Sequence, residues 1–458
     1  MKSFLRWCLS SITIFVLASS ALSAAPVTGF KFQFGAVSAA PGYTLVPLTQ
    51  LYSPETGAGF EPGASLTNST SDTGDALTRG TVTSTRPFLF SIAVPEGNYR
   101  VTVTLGDPRA DALTTVKAET RRLMLERIRT AAGQFVTRSF TVNVRRPQIS
   151  TGGEVNLDSR ELNLTTHTAI SRDWDDKLTL AFSDAHPALA ALEIHRVDDA
   201  ITVFVLGDST VTDQPGWPGS SWGQMFTRWF GPEVAIANHA ESGETLKGFL
   251  KERRWEKVLD SVHPGDYVLI EFGCNDSKKS GPQNIYPGQD FSETYAPAAT
   301  TYQELLRQFV ADAQKRGAFP VIISPSARRQ DHAKPSSLGA YADAAMAVAQ
   351  AVGVPGIDLN SMGVTLNAAL GAEAAKQFND QTHHVEYGSY LQAKCVVLGI
   401  QQAKLPLAKY IVADFGTFDP EHPAPLPSAF DLPPDPGGGR GARGPRPGGA
   451  IQPVPKPL

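Results

Sequence analysis

Cysteine is scarce in this chain: of 458 residues only Cys8, Cys274 and Cys395 carry a thiol. That is too few for a disulfide framework, and the Cys-x-x-Cys and Cys/His spacings of zinc sites are absent. Cys274 and Cys395 could pair in an oxidising compartment, a matter the sequence leaves open. Excess charge of either sign is also missing. The net charge of −4 excludes the strong electrostatic footprint of a nucleic-acid partner. No internal repeat is present, and past the N-terminus no uninterrupted apolar stretch reaches the length of a membrane span.

The N-terminus is different. Lys2 and Arg6 precede the run Ile12-Thr13-Ile14-Phe15-Val16-Leu17-Ala18, and Ala21-Leu22-Ser23-Ala24-Ala25 follows. A basic start, a short apolar stretch and small residues make a secretory signal, cleaved near Ser23 to Ala25. A membrane anchor is the other reading, but the run is too short and serine-rich to span easily. The expectation is a secreted or periplasmic protein that loses residues 1–24, and Cys8 with them, and keeps no membrane span.

A chain of this length suits two domains with tails. From about 29 to 198, apolar and polar side chains alternate with period two, as in Phe30-Lys31-Phe32-Gln33-Phe34 and Tyr99-Arg100-Val101-Thr102-Val103-Thr104-Leu105. Short strands with one buried face, linked by turns such as Pro95-Glu96-Gly97-Asn98, predict an antiparallel β-sandwich over 25–198. At Ile201 the pattern changes to continuous apolar runs: Ile201 to Leu206, Val234 to Ala237, Tyr267 to Phe272, Pro320 to Ile323 and Gly356 to Leu359. Such runs are strands buried on both faces, and the segments Tyr302 to Lys315 and Leu338 to Val352 between them read as helices. The expectation over 199–416 is a doubly wound α/β fold with a parallel, flavodoxin-like sheet. From 417 to 458 proline and glycine dominate, which predicts a disordered tail.

Chemistry-bearing residues fall just after the first three apolar runs, where open α/β sheets bind ligands. Ser209 lies in Gly207-Asp208-Ser209-Thr210, Gly243 follows Asn238-His239-Ala240, and Asn275 lies in Phe272-Gly273-Cys274-Asn275-Asp276. A fourth fragment is Asp380-Gln381-Thr382-His383. A serine hydroxyl is a poor nucleophile without a base, and the Asp380/His383 step can supply one with its tautomer held by a carboxylate. Gly243 lets a backbone N–H approach closely and Asn275 carries a neutral amide donor, as an oxyanion hole requires. Each fragment also has a plain explanation. Ser209 could cap a helix from Ser221 to Phe230, Asp380 could cap the helix from Tyr387 to Ala403, and Gly243 and Asn275 could be turn residues. His384 is a rival base beside His383.

In this order the fragments resemble the blocks of the SGNH (GDSL-type) hydrolases. Within that superfamily the chain is most similar to the rhamnogalacturonan acetylesterases, on Gly207-Asp208-Ser209-Thr210-Val211, Trp222-Gly223-Gln224-Met225, Asn238-His239-Ala240 and Pro264-Gly265-Asp266-Tyr267, together with the Asn275 and Asp380/His383 blocks. The resemblance covers roughly Ile201 to Phe415, and the N-terminal strands resemble a galactose-binding-like β-sandwich. It implies a Ser209-His383-Asp380 triad and an oxyanion hole of Ser209 N–H, Gly243 N–H and the Asn275 side chain. It further implies an acetyl-serine mechanism without metal or cofactor, acting on acetylated plant cell-wall pectin. Acetylated xylan or a lipid ester remains an alternative substrate, and a non-catalytic glycan-binding protein an alternative function. Trp217, Trp222 and an arginine pair fit a sugar better than a lipid.

The chain departs from that subfamily at Glu244-Thr245, where an Arg-Ser pair is usual, at Cys274 in place of a common His, and at His384 in place of a common aromatic. These positions put substrate preference in question. An acidic Glu244 would disfavour an anionic uronate unless Arg328 and Arg329 compensate, and a surface salt bridge would explain that pair equally well. Glu244, His384, Arg328 and Arg329 are therefore expected substrate contacts.

Overall fold

Alternation along the N-terminal region becomes two largely antiparallel sheets packed face to face in the computed structural model. The structure describes residues 29–36, 38–157, 162–163, 168–169, 172–280 and 290–424. The expected signal lies outside the described residues, as does the expected disordered tail of 417–458 from 425 onward, while within 417–424 the Ala424 carbonyl accepts from the Tyr387 hydroxyl. One sheet runs Thr44–Val46, Gly29–Phe34, Ala188–Arg196, Gly97–Leu105, Val136–Val144. The facing sheet runs Ala58–Phe60, Phe88–Ala93, Lys177–His186, Ala112–Ala118, Arg122–Thr130. Tyr99, Val101, Val103 and Leu105 point into the core, while Arg100, Thr102 and Thr104 between them keep contact with solvent. Phenylalanines dominate that core, with Phe34 and Phe60 both edge-on to Phe90 at 5.2 Å between centroids.

The second unit carries the parallel sheet. Its strands lie in the order Val234–Asn238, Ile201–Leu206, Tyr267–Glu271, Phe319–Ile323, Gly356–Ile357, and every neighbouring pair is parallel. Numbered along the chain this is 2-1-3-4-5, the flavodoxin-like order. The continuous apolar runs follow from burial on two faces. Val203, Val205, Leu269, Val321 and Ile323 pack on one side against the helices Trp222–Phe226, Leu359–Leu370 and Glu386–Gln402. Phe204, Leu206, Val268, Ile270 and Ile322 face the other side, covered by Leu246–Lys251, Arg254–Ser261, Thr301–Lys315 and Gly339–Val352. No helix among the described residues is long and apolar enough to cross a membrane. Cys274 and Cys395 are both free and buried, and burial pushes each thiol up to about 12.

The two sheets that the sequence pattern separates are joined edge to edge. Val136–Val144 of the sandwich pairs in parallel with Val234–Asn238, with Thr141 opposite Ala235 and Val142 opposite Ile236, so one 12-stranded sheet runs through both units. Each unit therefore covers an edge strand that the other would otherwise expose. Leu123, on the sandwich strand Arg122–Thr130, is fully buried within the core of the α/β unit.

Candidate active site

Ser209 sits on a tight turn just past the strand Ile201–Leu206. The turn is closed by the Asp208 carbonyl, which accepts from the N–H groups of Val211 and Thr212 at 3.0 Å each, and by Asp208 Oδ1, which accepts from the Thr210 N–H at 2.9 Å. A side chain at Gly207 would meet Val211 Cγ2 at 2.5 Å and the Glu271 carbonyl at 2.7 Å, so only glycine lets the strand turn this sharply. Helix capping does not explain Ser209. Ser221 caps Trp222–Phe226 instead, and the Ser209 hydroxyl lies 2.8 Å from His383 Nε2.

His383 and Asp380 occupy the connection that leads into the helix Glu386–Gln402. Asp380 Oδ2 is 2.7 Å from His383 Nδ1, and Asp380 Oδ1 accepts from the backbone N–H groups of Thr382 and His383. Asp380 caps its own loop rather than the helix, whose N-cap is Val385. A carboxylate can only accept, so the proton of neutral His383 belongs on Nδ1, and Nε2 is left to accept from Ser209 Oγ–H. Burial works against both charges of this pair. The hydrogen bonds outweigh it, holding the Asp380 carboxyl well below the usual carboxylate range and raising His383 above the usual imidazole value.

Asn275 and Gly243 close the other side. Gly243 has a φ of 89°, a conformation that favours glycine. Asn275 Nδ2 donates to the Glu244 carbonyl at 3.0 Å, and Lys278 Nζ donates to Asn275 Oδ1 at 2.6 Å. These contacts fix the amide's orientation and account for one of its two N–H bonds, leaving the other to a ligand. Asp276 ties the two loops together by accepting from the N–H groups of Leu246 and Gly273. Burial pushes the Asp276 carboxyl up to about 7. Burial, then the charge of Asp208, pushes Glu271 up to about 8, so the carboxyls around the site do not present a full set of negative charges. A hydroxyl, an oriented imidazole and fixed neutral donors in this arrangement suit nucleophilic attack on an ester carbonyl.

The expected substrate contacts divide. Glu244 is 4% exposed, and burial pushes its carboxyl up to about 9, so it is neutral at ordinary pH and adds no repulsive charge to the cleft. His384 is 2% exposed, packs against the Phe378 ring at 4.2 Å, and is held down to about 3 by burial, so it is neither a rival base nor an open contact. Both differ from the expected contacts in the same way: each side chain turns into the fold. Arg328 and Arg329 stay partly exposed beside the site, the Arg329 N–H donating to the Gln381 carbonyl and Arg328 Nη2 lying 3.8 Å from Cys274 Sγ. Of the two tryptophans, Trp222 is fully buried and donates Nε1–H to Glu271, whereas Trp217 is 44% exposed on the loop after Ser209.

Sequence reading missed the supports. Gln214 Nε2 donates to the Ser209 carbonyl at 2.7 Å, and Asn238 Nδ2 holds Val211 and Asp213 of the same loop at 2.8 Å each. Asn238 stands inside a recognised block, and Lys278 follows Asn275 by three residues; Gln214 has no comparable signal.

Comparison with known proteins shows what the chain is similar to. The GDSL-like lipase/acylhydrolase family matches residues 205–385, and the "Beta-agarase/YXIM esterase-like, galactose-binding domain-like" family matches residues 30–151. The rhamnogalacturonan acetylesterase RhgT of Bacillus subtilis is 33% identical over 237 residues, spanning 47% of this chain and 96% of that protein. The uncharacterized esterase YxiM of Bacillus subtilis is 26% identical over 363 residues, spanning 75% of this chain and 82% of that protein. The solved structure of YxiM aligns with 82% of this chain and 99% of its own at 21% identity and a TM-score of 0.42. With 96% of a 33%-identical relative covered and the family matched over 205–385, the chain belongs to the GDSL-like lipase/acylhydrolase family of SGNH hydrolases and is an ester hydrolase.

Proposed function

We propose that this protein is an exported carbohydrate esterase that removes acetyl groups from pectic polysaccharide. The hydrogen-bonded line from Ser209 through His383 to Asp380 carries the chemical part of the reading. Ser209 Oγ attacks the acetyl carbonyl carbon as its proton passes to His383 Nε2, and the imidazolium is stabilised by Asp380. The oxyanion is met by Ser209 N–H, Gly243 N–H and the Asn275 amide. Collapse expels the sugar alkoxide, which takes the proton from His383 and leaves acetyl-Ser209. Water then gives a proton to His383, attacks the acyl carbon and releases acetate, and the proton returns to Ser209.

The substrate part rests on relatives named rhamnogalacturonan acetylesterase and on the surroundings of the site. Arg328 and Arg329 offer cations to a uronate, a neutral Glu244 does not oppose one, and exposed Trp217 offers a sugar-sized apolar face. In this reading residues 1–24 are a removed signal, 25–198 the sandwich, 199–416 the catalytic domain and 417–458 a tail rich in proline and glycine. Acetate release from acetylated pectic polymer and from acetylated xylan by the purified protein tests the assignment. Faster release from the pectic polymer is expected. Equal or reversed rates would remove pectin and leave the esterase, and no hydrolysis of either polymer or of an aryl acetate would favour a glycan-binding role.

A further inference from the structure

The tip of the sandwich hairpin between Ala112–Ala118 and Arg122–Thr130 reaches under the active site. Its Arg121 is 4% exposed and spends its guanidinium on both halves of the catalytic constellation. Nη1 donates to the carbonyls of Gln214 at 3.0 Å and Gly219 at 2.9 Å, on the loop after Ser209. Nη2 donates to Glu386 Oε1 at 2.7 Å, at the first residue of the helix that follows His383. Lys117 Nζ approaches the same oxygen at 3.5 Å. The neighbouring carbonyl of Thr120 accepts from Gln224 Nε2, which also holds the Gln214 carbonyl.

These contacts lead directly to the reacting groups. Gln214, whose carbonyl Arg121 holds, donates its own side-chain N–H to the carbonyl of Ser209. Gly219 and Ser220 pair antiparallel with Val385 and His384, so the carbonyl Arg121 grips at Gly219 belongs to the ribbon that carries His383's neighbour. Glu119 and Arg121 both take positive φ, 52° and 64°, a conformation L-residues rarely hold unless surrounding contacts fix it. An arginine suits this place because its planar fork gives two directed donors at once, which a lysine cannot.

We propose that Arg121, supplied by the sandwich, is a positioning residue of the esterase site that locks the Ser209 loop and the His383 loop in register. The proposal rests on the Ser209-His383-Asp380 reading. It assigns the β-domain a part in turnover, apart from any sugar it binds.

The test is kcat, KM and the pH profile of aryl acetate hydrolysis by the full chain, with melting curves, for wild type, Arg121→Ala, Arg121→Lys and Glu386→Gln. His383 is faced by Asp380, Asp208 and Lys278, none of which these changes alter. Arg121→Ala is expected to lower kcat about tenfold to a hundredfold through misalignment, with KM unchanged. The acidic limb of kcat should move down toward 6.5, the ordinary imidazole value, as the hydrogen bonds that raise His383 slacken. Arg121→Lys should recover part of both effects. A folded Arg121→Ala with wild-type kcat and limb overturns the proposal, as does a loss of kcat with no movement of the limb. If Arg121→Ala does not fold, Glu386→Gln, which keeps an acceptor but removes the charge, decides by the same two readouts. Ser209→Ala separates the levels: its inactivity beside an unaffected Arg121→Ala defeats only the positioning role, whereas its full activity defeats the underlying reading.

Discussion

The two sides of the site are held in opposite ways. Ser209 and Asn275 are buried, stand just past strand ends, and are fixed by side chains from their own and neighbouring loops: Asp208, Gln214, Asp276 and Lys278. His383 and Asp380 lie on a half-exposed connection, their side chains 36% and 51% exposed, and are tied down by a short ribbon, an internal carboxylate cap and backbone bonds such as Arg329 N–H to the Gln381 carbonyl. The chemistry explains the contrast. Donors for an oxyanion contribute most when they need no reorganisation at the moment of reaction, so they belong on the rigid floor. A base that must gain and lose a proton with each half-reaction needs a carboxylate partner that stays ionised, and the hydrogen bonds to Asp380 hold it so against partial burial.

Substitutions on each side should break this contrast to different depths. Ser209→Ala should cost about a million-fold in kcat on an aryl acetate, and a variant with full activity would remove Ser209 as nucleophile. Asp380→Asn keeps the shape but lets His383 take the wrong tautomer, with an expected loss of about ten-thousand-fold. Asn275→Ala removes one fixed donor and should lower kcat about a hundred- to a thousand-fold, KM being little changed. A smaller loss than Asp380→Asn would support the division between donor and base; an equal one would argue that the two sides act as a single unit.

The pH profile sharpens the same point. Protonated His383 cannot accept from Ser209, so kcat/KM should fall as pH drops through the His383 value, which lies above 6.5 in the folded protein. The linked stability has the opposite sense: the raised His383 contributes fully below 6.5 and loses that contribution as pH rises through its folded value. The depressed Asp380 contributes above 3.8 and loses that contribution as pH falls through its folded value. An acidic limb below 6.5 would mean that the Asp380 hydrogen bond is not made in solution. The smallest effect belongs to Glu244→Gln. With its carboxyl already neutral at ordinary pH, the change should leave KM for a uronate-bearing substrate where it was, and a marked fall in KM would show Glu244 ionised and facing the cleft.

Period-two alternation and continuous apolar runs translated into strands because they report burial on one face or two, a local property of each segment. The first apolar run, Ile201–Leu206, appears as read, and the helix read from Leu338 to Val352 begins one residue later, at Gly339. The block residues came together because strand ends in a parallel sheet converge on one edge. For Glu244 and His384 the sequence leaves the direction open, because neighbouring a site in the chain does not determine which way a side chain points. Glu244 borders the Gly243 turn yet lodges its carboxyl inward, and His384 follows the base yet packs on Phe378.

Residue pattern alone thus specified the central strands and several of the helices, and which residue types stand at the strand ends, since both depend on side chains close in the chain. The sheet running unbroken through both units, the burial of Leu123 in the second core, and the reach of Arg121 to Gln214, Gly219 and Glu386 were decided by tertiary structure. Those contacts join residues tens to hundreds of positions apart, and they depend on edge strands meeting and on charges finding partners when buried, which no local pattern encodes.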